Sequence, residues 1–421
     1  MVTFRLRNPF VLSAAVVAAL IYCGSLKLSP SQPFMSFIRE SDLTGVEGSV
    51  CSNPVMISSG KYYSVKLRAF SCSGYCGGSS VTGSASGILT VFLPDEYVEN
   101  LYPGKLYSDC DSGGVLAEAG EILFVTGRFS DSRRVFYAAE VFAHGHENSF
   151  AGHVKHFRAL CRLNFRRLMY SWGKAGGLVL SLLSGSRDFL EDGIAEAFML
   201  AGLSHVLALS GMHLSFFSGI AGFTGKLILG KRFSFFSGTA GTVLFIWFAG
   251  FSPSLFRAFL CFLILAACNF SSCREPDMFC ILCCAFLIHV CVFPEDVYSA
   301  AFILSYGALA GILLFSDFCR KPFMAFAGEK LSSSLGASAA AQSATAPLSF
   351  LLFKTFSPAG IAASVIVSPL ISFFMTFSLF SVVLSLAVPF LSSWFGIIMN
   401  GLYYGIVLIV KFFAIIPCVR L

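Results

Sequence analysis

The sequence predicts a polytopic α-helical membrane protein with a small extracytoplasmic all-β domain. Hydrophobic residues make up 56% and charged residues only 12% of the 421-residue chain, a balance that excludes a soluble globular protein. Apolar stretches, several of bilayer length, recur through residues 176–421, as membrane-spanning helices require. Residues 43–149 differ because short alternating runs are separated there by Gly, Ser and Asp clusters, which is typical of a small β-barrel or sandwich.

Residues 1–42 are predicted to form an N-terminal membrane anchor and linker. Arg5 and Arg7 precede an apolar run from residue 9 to about residue 28. Because Lys and Arg are enriched on the cytoplasmic side of membrane helices, we expect an uncleaved anchor with a cytoplasmic N-terminus. A cleaved signal peptide is the alternative, since the small residues of segment 14–19 suit a cleavage site.

The predicted β domain, residues 43–149, is acidic and contains four cysteines. It carries seven Lys and Arg against eleven Asp and Glu, which argues against strong nucleic-acid binding by charge alone. If the N-terminus is cytoplasmic, this domain lies outside, where disulfides form. Two disulfides can therefore form among the candidates Cys51, Cys72, Cys76 and Cys110. The alternatives are reduced core cysteines, or a zinc site that uses Cys72 and Cys76.

Residues 150–175 are predicted to form a basic amphipathic helix. Apolar residues recur at three- and four-residue steps in HVKHFRALCRLNFRRLMYSWGK, and Arg158, Arg162 and Arg166 form the opposite stripe. Such a helix is typical of the membrane interface. We expect Trp172 at its edge and lipid head groups as the partners of the basic stripe, with phosphate contact as the alternative.

Four histidines near the end of the β domain are considered as metal ligands: His144, His146, His153 and His156. Metallo-β-lactamase hydrolases use H-x-H-x-D-H, but the Asp and the third His are missing after His146. No further carboxylate or cysteine is evident at a suitable spacing. The sequence therefore predicts no metal site and no cofactor.

Residues 176–421 are predicted to form a helical transmembrane domain. Basic loops near residues 226–232 and 320–330 alternate with an acidic pair at 295–296. With the β domain outside, this pattern satisfies the positive-inside rule only if the first two apolar segments together cross once. Residues 176–190 are therefore expected to lie in the interface or to re-enter. The predicted apolar segments are 176–190, 194–223, 234–251, 253–272, 278–294, 298–316, 338–356, 359–388 and 393–417.

The stretch GLSHVLALSGMHLSFFSGIAG, residues 202–222, carries polar residues inside an apolar segment. Ser210, Gly211 and His213 fall near its middle, where unsatisfied polar groups in hydrocarbon are costly. Gly weakens a helix and Ser bonds its own backbone, so LSGMH is predicted to be a broken helix that faces a cavity. The alternative is that His205 and His213 only make hydrogen bonds that hold helices together.

Two later segments repeat this mixture of polar and helix-breaking residues. In GFSPSLFRAF, Ser254 follows a tight turn and Arg257 enters the next apolar segment. Arg257 is either a functional intramembrane charge or a snorkelling side chain. In SAAAQSATAPLSF, Gln342 and Pro347 belong to a helix of small residues, for which pore lining and close helix packing are both open.

These motifs, in order, resemble the membrane channel of the ComEC family of competence proteins. The resemblance runs through LAGLSHVLALSGMHL, WFAGFSPSLFRAF, AAFILSYGALAGILLF and AAAQSATAPLSFLLF, within residues 176–370. Residues 43–147 look like the external OB-type β-barrel of that family. The family motif residues map onto Gly202, His205, Ser210, Gly211, His213, Pro253, Ser254, Arg257, Ser305 and Pro347.

The resemblance implies transport of single-stranded DNA across the cytoplasmic membrane, with the barrel outside. It also implies a separate DNA receptor, nuclease and cytoplasmic helicase as partners, besides membrane lipids and a possible homo-oligomer. The sequence resembles a short form without the family's metallo-β-lactamase-like domain, so no nuclease activity is expected of this polypeptide. The candidate translocation residues are thus His205, Ser210, Gly211, His213, Ser254, Arg257, Ser305, Gln342 and Pro347.

Two other functions compete with the DNA channel. A transporter for a lipid or another small substrate would share the broken-helix pattern. An intramembrane serine protease would pair Ser210 with His289 from another segment, although such a pair specifies function only loosely.

Overall fold

The computed structural model describes two connected parts, an N-terminal β-barrel and a helical bundle. The predicted anchor residues Arg5 and Arg7 lie outside the described residues. The described residues are 8–26, 32–57, 60–76, 79–108, 113–130, 134–270, 277–325, 328–353, 355–416 and 419–420.

The barrel is a ring of five strands. Around the ring, β4 pairs with β2, β2 with β7, β7 with β8, β8 with β6, and β6 with β4 again. The β6–β8 pair is parallel and the other four are antiparallel. The strands are β1 Met35–Ser36, β2 Leu43–Val50, β3 Val55–Met56, β4 Tyr62–Cys76, β5 Ser79–Ser86, β6 Ile88–Pro94, β7 Glu121–Ser130, β8 Val135–His146, β9 Thr355–Phe356 and β10 Val419–Arg420.

The period-two pattern of the sequence is the reason that the barrel closes around an apolar core. On β6, Leu89, Val91 and Leu93 are buried while the residues between them are half-buried, as alternation on a strand requires. Closure leaves neither edge of these strands unpaired, which removes the hazard of open sheet edges.

One described helix precedes the barrel and one lies within it, and those after the barrel follow most of the apolar segments of the sequence. The described helices are α1 Pro9–Tyr22, α2 Asp95–Glu99, α3 Phe150–Ser171, α4 Lys174–Ser184, α5 Ile194–Leu200, α6 Ser204–Leu207, α7 Gly211–Leu229, α8 Ser234–Ala249, α9 Pro253–Phe270, α10 Met278–Val292, α11 Ala300–Arg320, α12 Glu329–Phe353, α13 Gly360–Ala387 and α14 Ser392–Ala414. Within the described ranges, three helical segments are long and apolar enough to cross a membrane: Ala300–Ala325, Gly360–Ala387 and Pro389–Ala414.

The first two apolar segments fold differently from a pair of simple spans. The helix α4 has 11 residues, and all but its first are buried in the bundle core, so at 1.5 Å per residue it is too short to cross a bilayer. The following segment is divided into α5, α6 and α7. The structure thus buries residues 174–184 inside the protein, and the expected interfacial or re-entrant position of residues 176–190 stays a prediction.

The helix α3 lies between the barrel and the bundle and packs against both. Leu163 belongs to the apolar core of the barrel, whereas Leu168 and Met169 belong to the core of the bundle. Trp172, just after the helix, is 2% exposed and its indole N–H donates to the carbonyl of Ser392 at 3.0 Å. Trp172 is therefore packed inside the protein, and its expected position at a membrane edge stays a prediction.

The arginine stripe of α3 faces the protein. Arg158, Arg162 and Arg166 are 8%, 2% and 2% exposed. The guanidinium of Arg162 donates to the carbonyl of Phe248 at 2.8 Å, and that of Arg158 to Trp247 and Phe248. These carbonyls end α8, where no intrahelical donor is available. The arginines thus cap a helix C-terminus, the end that favours positive charge.

Two carboxylates complete the neutralisation of the arginine stripe. Arg162 Nε lies 2.8 Å from Glu118, and Arg166 lies 3.5 Å from Glu118 and 3.1 Å from Asp188. Burial raises the pKa of Glu118, but the charges of Arg162 and Arg166 outweigh burial and hold it below its ordinary value. The polar face of α3 meets buried acids and helix carbonyls. The expectation that lipid head groups are the partners of the arginine stripe is therefore wrong.

The cysteines of the barrel are described in part. Cys51 is exposed and Cys72 is buried, and both are free thiols; Cys72 lies against the carbonyl of Ser84. Cys110 and the side chain of Cys76 lie outside the described residues. The described structure therefore contains no bridge at Cys51 or Cys72, and a bridge between Cys76 and Cys110 stays a prediction.

A glycine fixes the turn that leads from α5 to the polar stretch of the bundle. Gly202 has φ +73°, its N–H donates to Met199, and the N–H of Leu203 donates to Phe198. These two bonds form a Schellman motif, which requires a left-handed residue. A β-carbon on Gly202 would lie 2.7 Å from Cα of Gly360, so this residue also permits the close approach of α13.

Replacing Glu118 by glutamine should lower the free energy of unfolding by about 3–5 kcal/mol, because it leaves buried arginines without a counter-charge. Thermal unfolding of the purified chain in detergent measures the effect, with exposed Glu96→Gln as the control. The lowered pKa means that the Glu118 contribution is complete at neutral pH and is lost as pH falls through that pKa. Equal melting of both variants at neutral pH would refute this role.

Replacing Gly202 by alanine should destabilise the bundle. The left-handed conformation alone costs an alanine about 1–2 kcal/mol, and the methyl group must also displace the backbone of Gly360. Gly219→Ala is the matched control, because a β-carbon there meets no atom within 4 Å. The melting temperature should fall only in the first variant; a fall of the same size in both would contradict the close approach.

Candidate functional site

The site begins at the helix break that the sequence predicts in LSGMH. The helix α6 ends at Leu207, residues 208–210 are non-helical, and α7 starts at Gly211. Ser210 is extended, with φ −135° and ψ 174°, and is the N-cap of α7. A 19-residue helix therefore starts at Gly211. The free N–H groups of its first turn carry partial positive charge.

His213 forms hydrogen bonds at this helix start. Its Nδ1 accepts from the backbone N–H of Ser210 at 3.1 Å and lies 3.1 Å from the Ser210 hydroxyl. This is the reciprocal arrangement of a capping box. Because Nδ1 accepts, the neutral ring carries its proton on Nε2. That atom is buried and has no hydrogen-bond partner among the described residues.

The helix α9 holds this break in place through a hydrogen bond. The hydroxyl of Ser254, at the start of α9, donates to the carbonyl of Leu209 at 2.6 Å. Gly250 ends α8 with φ +92°, a conformation that glycine adopts without strain. The tight turn before Pro253 therefore places α9 directly against the start of α7.

Arg257 joins the two helix starts to a third helix. It is 9% exposed, and its Nη1 donates to the carbonyl of Ser305 on α11 at 2.6 Å. Its Nη2 lies 3.5 Å from where a β-carbon of Gly211 would stand. Its Nε is buried and unbonded in the described part of the chain. Ser305 thus contributes a backbone carbonyl, rather than the hydroxyl that the sequence draws attention to.

The electrostatics of this cluster favour an anion. A guanidinium and a helix N-terminus are both positive and lie side by side, and no described carboxylate forms an ion pair with Arg257. Unused donors remain on Arg257 Nε and His213 Nε2. Helix N-termini with a nearby arginine bind phosphate and carboxylate groups.

The remaining sequence candidates lie apart from this cluster. Gln342 on α12 contacts Gly360 beside Gly202, and its Oε1 is buried without a partner in the described chain. Pro347 lies inside the same helix and is exposed. His205 is exposed on α6. The structure therefore unites Ser210, Gly211, His213, Ser254, Arg257 and the Ser305 carbonyl, and leaves these three outside.

The serine protease alternative receives no support from the geometry. His289 is fully buried, and its ring nitrogens lie 3.3 Å from the Tyr306 hydroxyl and 3.2 Å from Asp296. The hydroxyl of Ser210 instead meets His213. Sequence reasoning missed the His289–Tyr306–Asp296 chain of contacts, although a tyrosine next to Ser305 in an apolar segment is a signal that could have revealed it.

A second polar cluster lies at the end of the barrel. Glu121, His146 and His156 each offer one ligand atom, and these atoms all lie within 4.8 Å of one another. Sequence reasoning found the histidines but missed the carboxylate, because Glu121 precedes them by more than twenty residues and only strand pairing brings it near.

The comparisons with known proteins concern the helical bundle. Residues 182–421 match the family described as Competence protein. The chain is 23% identical over 202 residues to ComE operon protein 3 of Bacillus subtilis (strain 168), a match that covers 47% of this chain and 25% of that protein. It is 28% identical over 209 residues to an uncharacterized protein of Aquifex aeolicus (strain VF5), covering 49% and 48% respectively.

No solved structure matches the chain. The alignments span a quarter to about half the length of these two curated relatives. The family match is longer in this chain, since it covers more than half of the residues and includes the break before α7, the start of α9 and Ser305. The chain is a member of the competence protein family.

Proposed function

We propose that this chain forms a conduit through which single-stranded DNA crosses the cytoplasmic membrane during DNA uptake. Membership of the competence protein family supports the role in DNA uptake. The observation that carries the conduit is the contact of Arg257 with the first residue of α7. The two positive groups, with unused donors, lie beside α11, which belongs to one of the three described segments long and apolar enough to cross a membrane.

The chemistry of this site matches the backbone of a nucleic acid. Each phosphate carries one negative charge and accepts hydrogen bonds from N–H donors. The site offers such donors from Arg257, the α7 N-terminus and His213. Because its described cation lacks a carboxylate partner, an entering phosphate has no internal anion to displace.

The contact between Arg257 and Ser305 closes the proposed path. The guanidinium donates to a carbonyl of α11 at 2.6 Å, and this bond joins α9 to α11 beside the start of α7. A passing phosphate competes for the same guanidinium and offers a charge in place of a neutral carbonyl. We therefore infer that the strand opens the path by exchanging this bond for a charge-assisted one.

The barrel would receive the strand outside the cytoplasmic membrane. Five strands in a closed ring with one parallel pair support an OB-type barrel, a fold that binds oligonucleotides. Phe70, Tyr75 and Phe142 are exposed on its strands, and bases stack on such rings without sequence preference. Since the segment is acidic, stacking rather than charge would hold the strand there.

Other proteins would complete the process. A separate receptor would deliver DNA, a nuclease would degrade the second strand, and a cytoplasmic helicase would draw in the first. Membrane lipids surround the bundle, and association of several copies is compatible with the proposal.

Passage of fluorescent single-stranded DNA into liposomes tests the conduit. The full chain is reconstituted in phosphatidylcholine–phosphatidylglycerol vesicles held at a positive internal potential, and protected DNA is counted after nuclease treatment outside. Arg257→Ala should reduce uptake at least about tenfold, because a hydrogen bond to a charged group is worth about 1.5–3 kcal/mol. His213→Ala should also reduce it.

Two controls separate transport from folding. Arg232→Ala removes an exposed arginine beyond the far end of α7 and should leave uptake unchanged. Arg257→Lys keeps the charge but not the planar fork of donors, so it should restore only part of the uptake. Correct insertion of each variant is checked by protease protection. Equal DNA passage by wild type and Arg257→Ala would refute the role of the site.

The same vesicles distinguish the cargo. If wild-type vesicles exclude DNA but exchange a fluorescent phospholipid between leaflets in an Arg257-dependent way, the conduit proposal is wrong. The chain would then be a transporter for a phosphate-bearing lipid.

A further inference from the structure

The cluster of Glu121, His146 and His156 lies where three elements meet, outside the site described above. Glu121 begins β7 and is directly opposite His146, the last residue of β8. His156 comes from the second turn of α3. His146 and His156 stack with ring centroids 4.2 Å apart, and Nδ1 of His156 lies 2.8 Å from Oε1 of Glu121.

A β-bulge orients the strand residues of this cluster. Ile122 pairs with Gly145 while Leu123 pairs with Ala143, so β8 carries one extra residue, His144, at this point. Gly145 has φ +88°, which a residue with a β-carbon rarely adopts. Bulges redirect side chains next to functional sites. Here the bulge leaves His146 on the same side of the pair as Glu121, toward α3.

Two close approaches bring α3 onto the strand ends. A β-carbon at Gly120 would overlap Lys155 on α3, and one at Gly152 would overlap the backbone of Glu147. Both overlaps are avoided only because these residues lack a side chain. The first turns of α3 can thus lie against the end of the β7–β8 pair, which places His156 beside Glu121.

We propose that Glu121, His146 and His156 form a binding site for one divalent transition-metal ion of the zinc type. Zinc in proteins takes imidazole nitrogen and carboxylate oxygen at about 2.0–2.2 Å, commonly from three protein groups plus a further ligand. The three ligand atoms here lie within 4.8 Å of one another, so small side-chain rotations close the site. Two imidazoles and one carboxylate also match the preferences of this ion better than those of Mg²⁺ or Ca²⁺.

The environment of Glu121 and of the histidines favours a bound cation. Glu121 is 5% exposed, so its negative charge acts in a medium of low dielectric. One ring nitrogen of His146 is among the three converging ligand atoms. His153 adds an edge contact to His146 at 5.0 Å, and its Nδ1 bonds the carbonyl of Ser149. That bond leaves Nε2 of His153 as an acceptor, but His153 does not belong to the three converging groups.

Bound metal would fasten α3 to the barrel. His156 belongs to the helix, whereas Glu121 and His146 belong to the strands, so one ion would join both elements. Since the unfolded chain offers no preformed site, the binding free energy adds to the stability of the folded chain.

Zinc titration of the purified full-length chain, without a polyhistidine tag and with its cysteines alkylated, tests the site. Wild type should bind one Zn²⁺ per chain in competition with a chromogenic chelator, and Zn²⁺ should raise its melting temperature. His146→Ala and His156→Ala should each weaken binding at least about tenfold and abolish the thermal shift. In EDTA, all variants should melt close to wild type.

His144→Ala is the matched control, because His144 is a neighbour on β8 that bonds Glu47 at 2.7 Å and does not belong to the proposed ligand set. It should bind Zn²⁺ as wild type does. Either of two results would overturn the proposal: no saturable binding by wild type, or undiminished binding by His146→Ala and His156→Ala. Glu121 and His156 would then be a hydrogen-bonded pair alone.

Discussion

The rest of the structure depends on the buried arginines of α3. They neutralise Glu118 and Asp188 on one side and cap the carbonyls of α8 on the other. Without them the C-terminus of α8 would end in unsatisfied carbonyls at a protein interface. Without the acids the arginines would be buried charges with only dipoles for partners. Each set of groups is stable only because the other is present, and this makes the barrel and the bundle one connected structure.

This joint reaches the candidate site through a short path. Asn53 of the barrel and Arg162 of α3 both donate to the carbonyl of Ala249. A β-carbon at Gly250 would lie 2.9 Å from the amide nitrogen of Asn53 and 3.2 Å from Arg158. The turn that begins α9, and so orients Arg257, is thus held by the groups that attach the barrel.

The sequence predicted which helices and strands form better than it predicted which residues their side chains contact. Strand alternation indicated the β domain, and the Ser-Gly step indicated the break before α7, since both patterns are local. The partners of the arginine stripe lie 44 and 22 residues away in sequence, at Glu118 and Asp188. An amphipathic pattern shows that one face is polar, but whether that face meets lipid or buried acids depends on tertiary packing.

The same distinction applies to the candidate sites. The motif around Arg257 pointed to a functional charge, but the use of the Ser305 carbonyl instead of its hydroxyl follows from how α9 crosses α11. Glu121 could not be found from histidine spacing, because a bulge and two glycines bring it to His156. Close backbone approach has no sequence periodicity and becomes evident only in the folded chain.

The helix α3 is therefore attached by different chemistry along its length. Its first turns carry the histidine cluster, its middle carries the arginines, and the adjoining Trp172 is buried against α14. The arginine attachment consists of buried ion pairs and helix capping, whereas the first turns meet the strand ends through the hydrogen bond of His156 to Glu121. Arg158, in the arginine attachment, lies beside the turn at Gly250 that leads into α9. The middle of α3 is thus where the attachment of the barrel meets the turn that leads into the helix of Arg257.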